Sequence, residues 1–251
     1  MRIVFSTVPV SVELSDKKVS VLEVVNNHLF AEICNSLLAK DEELREIPFS
    51  LWNEDKEIKP EQNILYVDSP LSLPWDDKKL NNKFFEYVSK EINLDEQRRL
   101  RIVDAVSVIN DEIFQVSSGF KASYELQTEW DMAKYLKMSH FSAEKAGRSF
   151  FDNQIEFLNF ISDVSFGGAI VFINLKNFFT QEQYTEWSSH VIFLGIQALL
   201  IETETSIRDN DNENKQVIDL LDCSDIISDS VRMDVSLQGR FCDNGFGAVT
   251  F

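Results

Sequence analysis

Three carboxylates that could bind a cation lie close together in the segment Tyr124–Asp131: Glu125, Glu129 and Asp131. Glu125 and Glu129 are four residues apart, so on a helix they would share one face. Calcium takes six to eight oxygen ligands, and clustered carboxylates supply such ligands. The same residues are also typical of solvated acids near a helix end, and Asp131 could cap a helix over Met132–Met138. The sequence leaves both interpretations open.

Basic side chains are concentrated in the middle of the chain, at Arg98, Arg99, Arg101, Lys121, Lys134 and Lys137. Each of them alone is typical of a solvated helix face. Together they predict a surface that follows a phosphate backbone. The total charge argues the other way, because 24 Lys and Arg residues against 42 Asp and Glu residues give −18. Such a chain repels nucleic acid unless its basic groups cluster or cations intervene.

Two apolar runs typical of buried strands end in a polar residue, Asp68 after Asn63–Val67 and Asn174 after Gly168–Ile173. This arrangement resembles the Walker B strand of nucleotide hydrolases. However, none of the eight glycines begins a G-x-x-x-x-G-K-[ST] loop, so the phosphates of a nucleotide would have no cradle. ATP hydrolysis is therefore not expected. The alternative enzyme is a metal-dependent phosphoesterase or nuclease that uses Asp68 and the acidic cluster as ligands of two metal ions.

The composition, with 44% hydrophobic and 26% charged residues, is that of a globular protein and excludes disorder, collagen and a coiled-coil rod. The three cysteines, Cys34, Cys223 and Cys242, are widely spaced and match neither a disulfide framework nor a zinc pattern. The apolar runs are too short for a signal peptide or a membrane span. We expect a cytoplasmic protein in a reducing compartment.

Strand patterns occur towards both ends of the chain. Arg2–Ser6 and Val8–Leu14 predict an antiparallel pair, whereas the apolar spacing over Val21–Leu38 predicts a helix. In the second half, Gly168–Asn174, a capped helix and Gln197–Glu202 predict a parallel strand–helix–strand unit.

Helical patterns dominate between these strand regions. Leu80–Ile92 predicts one helix, and Asp95 could cap the next, whose apolar stripe comprises Leu100, Val103, Val106, Ile109 and Ile113. The sequence therefore predicts an α/β fold with an inserted α-helical domain. The predicted boundaries are 1–75 and 165–230 for a discontinuous core, 76–164 for the helical domain and 231–251 for an unassigned tail.

The order of these features resembles the type II-A CRISPR-associated accessory family of spacer acquisition. Four stretches carry the resemblance: Met1–Ser6 with Pro9–Glu13, Tyr124–Leu126 through Trp130–Lys137, Ala169–Asn174 with Phe179–Gln183, and Leu199–Glu202 with Leu221–Asp225. Each stretch is short, and the specificity lies in their order and spacing.

The resemblance implies a P-loop-ATPase-like mixed sheet core without a phosphate loop, and no enzymatic activity. It implies a homotetrameric ring whose dimers join through their helical parts, and which binds double-stranded DNA at free ends. It also implies calcium bound by acidic residues, for which Glu125, Glu129 and Asp131 are the candidates. The six basic residues of the middle segment are candidates for the lining of the ring. Other CRISPR adaptation proteins are expected partners, and a membrane is not.

Overall fold

The computed structural model describes residues 1–39, 41–126, 129–143, 149–203 and 205–219. Leu221–Asp225, Cys223, Cys242 and the tail 231–251 lie outside these residues. The described residues form two compact units, one from Met1–Leu73 and the residues from Gly167 to 219, the other from Pro74–Phe166. No helix in the described ranges has the length and apolar character that a membrane crossing requires.

The α/β unit contains the strands, and its helices alternate with them. The strands are β1 (Arg2–Phe5), β2 (Ser11–Glu13), β3 (Val19–Val24), β4 (Phe49–Asn53), β5 (Lys56–Ile58), β6 (Ile64–Val67), β7 (Ala169–Ile173), β8 (Gln197–Glu202) and β9 (Glu213–Ile218). Its helices are α1 (Asn27–Leu38), α2 (Pro60–Asn63) and α7 (Gln181–Phe193), and short 3-10 turns occur at Glu42–Leu44 and Lys176–Phe178. The helical unit contains α3 (Lys78–Leu94), α4 (Glu96–Ser117), α5 (Met132–Met138) and α6 (Phe150–Asp163).

These strands form two sheets. The first is antiparallel, in the order β2-β1-β4-β5, and the second has the order β6-β7-β8-β3-β9 with every pair parallel. The predicted α/β fold class is confirmed, as is the antiparallel pairing at the N-terminus. One core cluster contains apolar residues of both sheets together with the inner face of α1, including Ile3, Leu22, Ile33, Leu51 and Leu199.

The predicted strand–helix–strand unit is confirmed as β7, α7 and β8. Thr180 caps α7 by accepting a hydrogen bond from the Gln183 backbone N–H, and the Gln183 side chain accepts one from the Thr180 N–H. Trp187 on α7 packs edge-on against Phe172 of β7, with ring centroids 5.4 Å apart. This contact covers the face of the parallel sheet opposite to α1.

The single helix predicted over Val21–Leu38 is wrong. Its first part is strand β3, and α1 begins only at Asn27. β3 lies between β8 and β9 with every residue except the half-buried Glu23 buried, so its apolar residues show no strand alternation. The spacing of its valines therefore fitted a helical period by coincidence.

Aromatic packing organises the helical unit. Trp75 lies edge-on to Phe157 of α6, with centroids 5.2 Å apart, and Phe84 of α3 lies edge-on to Phe160 at 5.8 Å. Asp77 and Asp95 cap α3 and α4 through their carboxylates, and the cap at Asp95 was predicted. α3 packs against both α4 and α5. Even so, α4 has no buried residue along its 22 positions.

Candidate nucleic-acid interface

In the short connection between β3 and α1, the side chain of Asn26 occupies backbone N–H groups at the start of the helix. Only Val25 and Asn26 separate the two elements. The Asn26 Oδ1 accepts hydrogen bonds from the backbone N–H groups of His28 at 2.9 Å and Leu29 at 3.1 Å. In nucleotide-binding folds, the amides at a helix N-terminus after a parallel strand bind phosphate. Here two of these amides are already occupied, and no long loop is present to surround a phosphate.

Polar side chains on neighbouring strands of the parallel sheet bond to each other. Glu23, in β3, forms an ion pair with Lys215 of β9 at 2.8 Å, and Lys215 also contacts Asp209 at 3.1 Å. Asn174, predicted at a Walker-B-like position, accepts hydrogen bonds from the backbone N–H and the hydroxyl of Thr203, at 3.0 and 3.1 Å. These contacts give Glu23 and Asn174 structural roles in the parallel sheet.

Asp68 directly follows β6, as predicted, and is exposed. Among the residues that the structure describes, no group of three or more His, Cys, Asp or Glu side chains could hold a metal ion. The described residues thus do not assemble the carboxylates that a two-metal phosphoesterase needs.

A buried ionic cluster lies under α7 and was not predicted from the sequence. The Lys176 Nζ is 2.8 Å from the Glu213 carboxylate, and both side chains are almost fully buried. The Tyr184 hydroxyl donates a hydrogen bond to the same carboxylate, and the Lys176 ammonium lies 4.6 Å from the centroid of the Tyr184 ring. The cluster connects the turn after β7 with α7 and the first residue of β9. Glu213 lies in the polar segment Arg208–Asn214, whose composition is typical of a loop, so its immediate sequence does not signal its burial.

Glu202, the last residue of β8, extends this cluster. It is fully buried and accepts a hydrogen bond from the Lys176 backbone N–H at 3.0 Å. Burial raises the pKa of Glu202 to about 7, although the hydrogen bond and the charge of Lys176 act in the opposite direction. This carboxyl therefore changes its charge near neutral pH.

The predicted basic residues lie on the helical unit, distributed over different elements. Lys134 and Lys137 are exposed on α5, and the Lys137 ammonium lies 5.9 Å from the centroid of the Phe85 ring. The Lys134 side chain is 82% exposed. Lys121 is exposed in the segment after α4. The arginines Arg98, Arg99 and Arg101 are exposed on the first two turns of α4.

The acidic candidates do not form the helical arrangement on which the calcium prediction rested. Glu125 and Glu129 precede α5, which begins at Met132, so they do not share a helix face. Asp131 is the N-cap of α5, as the alternative interpretation predicted, and accepts a hydrogen bond from the Lys134 backbone N–H at 3.0 Å. That hydrogen bond lowers the pKa of Asp131.

These three carboxylates line two different cavities. Glu125 lines an apolar cavity of about 470 Å³ at the end of α4, whereas Glu129 and Asp131 line a groove of about 270 Å³ beside Trp130 and Tyr135. Among the described residues, these three carboxylates do not belong to any group of three or more side chains that could hold a metal ion. As arranged in one chain, they do not fit a calcium shell of six or more oxygens.

Helix α4 presents apolar side chains to solvent along its whole length. The predicted stripe is present, but Leu100, Val103, Ile109 and Ile113 are between 44% and 56% exposed, and Val116 is 65% exposed. The apolar cavity lies at the C-terminal end of this helix, and Phe114, Phe120 and Tyr124 form part of its wall. Exposed apolar side chains at this density make α4 a candidate interaction surface.

A family model described as "CRISPR-associated protein (Cas_Csn2)" matches residues 39–220. No curated protein matches the chain. Similar solved structures include a nucleotide-free ATP-binding cassette from an ABC transporter, at 14% identity and a TM-score of 0.42, covering 83% of this chain and 79% of that one. Another is an ATP-binding cassette of an ABC transporter in its ADP conformation, at 15% identity and a TM-score of 0.42, covering 92% and 91%.

Proposed function

We propose a function from one premise: the chain belongs to the Cas_Csn2 family of CRISPR-associated proteins. In this proposal, the protein binds the ends of double-stranded DNA without reading the sequence and catalyses no reaction. It acts as a homotetrameric ring in the cytoplasm and supports spacer acquisition in type II-A CRISPR immunity, together with other adaptation proteins.

The exposed lysines of the helical unit are the observation that carries the DNA-binding part of the proposal. The α/β unit exposes lysines too, such as Lys17 and Lys56, and it holds Arg45, Lys176 and Lys215 within 3 Å of carboxylates. In the helical unit, Lys121, Lys134 and Lys137 extend into solvent. A ring that gathers such lysines from several copies would present a basic lining despite a net charge of −18 per chain. Contacts of this kind go to phosphates and carry no sequence information.

The closed β3–α1 connection supports the non-enzymatic part. Asn26 bonds to the amides that would face a phosphate, and Glu23 is paired with Lys215. A nucleotide would have to displace both contacts to enter this edge of the sheet. The protein is therefore proposed to act through its shape and charge.

The exposed face of α4 supports self-association. Burying its apolar side chains in a subunit contact would favour association by roughly 25 cal/mol per Å² of apolar surface removed from water. A second copy of the chain provides the same apolar surface, as symmetric assemblies require.

Calcium has a separate place in the proposal, because the three acidic candidates do not fit a site in one chain. Calcium binding by Glu125, Glu129 and Asp131 would require ligands beyond these three. Isothermal titration of the full chain with calcium tests this part directly, with magnesium as the control. If the chain does not bind calcium, calcium is no longer part of the proposal, and the DNA-binding part is tested separately.

The central experiment compares a linear duplex with the same duplex as a covalently closed circle. Threading over ends predicts that the protein is retained on linear DNA and much less on the circle. Affinity should fall with salt, with a log–log slope of about −0.9 for each phosphate neutralised. Equal retention on both forms, or on neither, contradicts the proposal.

A further inference from the structure

A groove between α3 and the end of α5 combines an exposed aromatic ring with polar side chains. Its volume is about 240 Å³, below the roughly 300 Å³ at which sites for drug-sized ligands begin, so it suits a single small ring system. This α3–α5 groove is lined by Asn81 and Phe85 of α3, Lys137 of α5, and His140, Phe141 and Ser142 directly after α5.

Phe141 is the exposed aromatic residue of the groove. Its ring is stacked on that of Phe84, with centroids 5.1 Å apart, and Phe84 is itself held edge-on by Phe160 of α6 at 5.8 Å. Even so, Phe141 is 47% exposed. One face of its ring is therefore fixed by the protein, and the rest of the ring is available to a flat ligand. Nucleobases stack on such rings whatever their sequence, because every base has a π face.

The backbone at the end of α5 places Phe141 beside the groove. The His140 N–H donates to the Lys137 carbonyl at 3.2 Å, and the Phe141 N–H donates to the Leu136 carbonyl at 3.1 Å, which is the Schellman pattern of a helix end. This pattern needs a residue with positive φ, usually glycine, but here the residue is His140, with a φ of 53°. A histidine where glycine would be less strained indicates a use for the side chain, which lines the groove.

The charges around the groove favour a base over a phosphate inside it. Asp76 also lines the groove, and its carboxylate would repel a phosphate. The side chains of Asn81, His140 and Ser142 carry hydrogen-bonding groups, as recognition of the edge of a base requires. Lys137 is exposed on the same wall and can contact the phosphate next to the base.

We propose that the α3–α5 groove binds an unpaired nucleobase at the end of a DNA duplex, stacked on Phe141, while Lys137 contacts the adjoining phosphate. This inference rests on the DNA-end binding of the proposed function and specifies which part of the end is recognised. Bases inside a duplex are paired and stacked, and extracting one costs free energy, whereas a base that is already unpaired costs least. The groove would therefore distinguish a frayed or overhanging end from the rest of the DNA.

Duplexes that differ only at their ends test the proposal. One duplex is blunt, and two others carry one unpaired nucleotide on their 3′ or their 5′ ends. We expect the original chain to bind at least one overhanging duplex about fivefold more tightly than the blunt one in fluorescence anisotropy, the lower end for stacking of one base on an aromatic ring. When the unpaired base is 2-aminopurine, its fluorescence should fall on binding, because stacking quenches it. Equal affinity for all three duplexes would overturn the proposal.

Two leucine variants test whether Phe141 provides the stacking surface. Phe141→Leu removes the ring but keeps an apolar side chain next to Phe84, so it should abolish the preference for the overhang and retain the affinity for blunt DNA. Tyr87→Leu is the matched control, because Tyr87 is a 46% exposed aromatic residue of α3 outside the groove, and this variant should keep the preference. Loss of the preference in both variants, or in neither, would overturn the assignment to Phe141.

His140→Gly separates binding from folding. Glycine adopts a positive φ without a steric penalty, so the midpoint of urea unfolding should be retained. The preference for the overhang should nevertheless fall at least about twofold, the lower end for the loss of one hydrogen bond. An unchanged preference in this variant would contradict the place of His140 in the site.

Failure of this inference can be distinguished from failure of the proposed function. If the protein is retained on linear DNA and not on the circle, but ignores the overhang, the proposed function stands and the groove assignment fails. If it is retained equally on linear and circular DNA, but still quenches an unpaired 2-aminopurine in a way that Phe141→Leu abolishes, the groove assignment stands and the proposed threading over ends fails.

Discussion

Lys176 and Glu213 form an ion pair inside the α/β unit, with 2.8 Å between the ammonium nitrogen and the carboxylate oxygen. Lys176 follows β7, and Glu213 begins β9, the edge strand beside β3. The pair therefore fixes the position of β9 from beneath α7. Because both charges are removed from water, each depends on the other for its stability.

Removing one member of this pair should strongly destabilise the protein. For Glu213→Gln, we expect a loss of about 3–5 kcal/mol in the free energy of unfolding, because the buried ammonium of Lys176 would lose the carboxylate that pairs with it directly. Urea denaturation followed by circular dichroism measures the change. The double variant Lys176→Met with Glu213→Leu should lose clearly less. A double variant as unstable as the single one would show that packing, not charge, accounts for the effect.

Glu202 should make stability depend on pH around neutrality. Its pKa is raised from 4.5 to about 7 in the folded chain, so folding favours its protonated form. The contribution is complete below about pH 4.5 and is lost as pH rises through about 7, with a total change of roughly 3 kcal/mol. Glu202→Gln should be more stable than the original chain at pH 8. Identical pH profiles of unfolding for the two proteins would contradict this prediction.

Lys134→Glu should weaken DNA binding and leave the assembly intact. The side chain is 82% exposed, so its reversal disturbs no packing but repels phosphate. We expect a loss of affinity of about tenfold and a shallower salt dependence in fluorescence anisotropy with a linear duplex. Lys56→Glu, an exposed charge reversal on β5 in the α/β unit, is the matched control. Equal losses in both variants would indicate a non-specific charge effect.

Two substitutions at Asp131 distinguish a helix cap from a calcium ligand. Asp131→Ala removes the hydrogen bond from the Lys134 backbone N–H and should lower the midpoint of urea unfolding. Asp131→Ser retains a capping oxygen but loses the carboxylate, so its stability should remain close to that of the original chain. If both variants lose calcium affinity to the same degree in titration calorimetry, Asp131 is a ligand as well as a cap.

The sequence predicted those elements whose signals are local. Helix α7, which follows β7, has its own capping residues, Thr180 and Gln183. The apolar run of β8 is bounded by polar residues. Both elements were therefore assigned correctly. β3 was missed because it is a central strand, buried on both faces, and its pattern is set by neighbours far away in the chain. Asn26 is a favoured N-cap residue and would have marked the true start of α1.

The candidate site was less predictable for the same reason. The exposure of Lys134 and the cap at Asp131 follow from neighbouring residues, and the cap was anticipated. The pairing of Lys176 with Glu213 joins positions 37 residues apart and depends on the order of strands in the sheet. The acidic segment was interpreted with a helical period, but its residues lie before the helix, where side-chain directions do not repeat every 3.6 residues.

Asn26, at the start of α1, has a consequence for how the proposed ring would move on DNA. The amides of His28 and Leu29 already donate to Asn26, so this position offers them to no nucleotide phosphate, and ATP hydrolysis would not drive the movement. A clamp built in this way would drift along a duplex by thermal motion alone. Its residence time would depend on how readily the clamp opens or slips off a terminus, and direction could come only from obstacles or companions on the DNA.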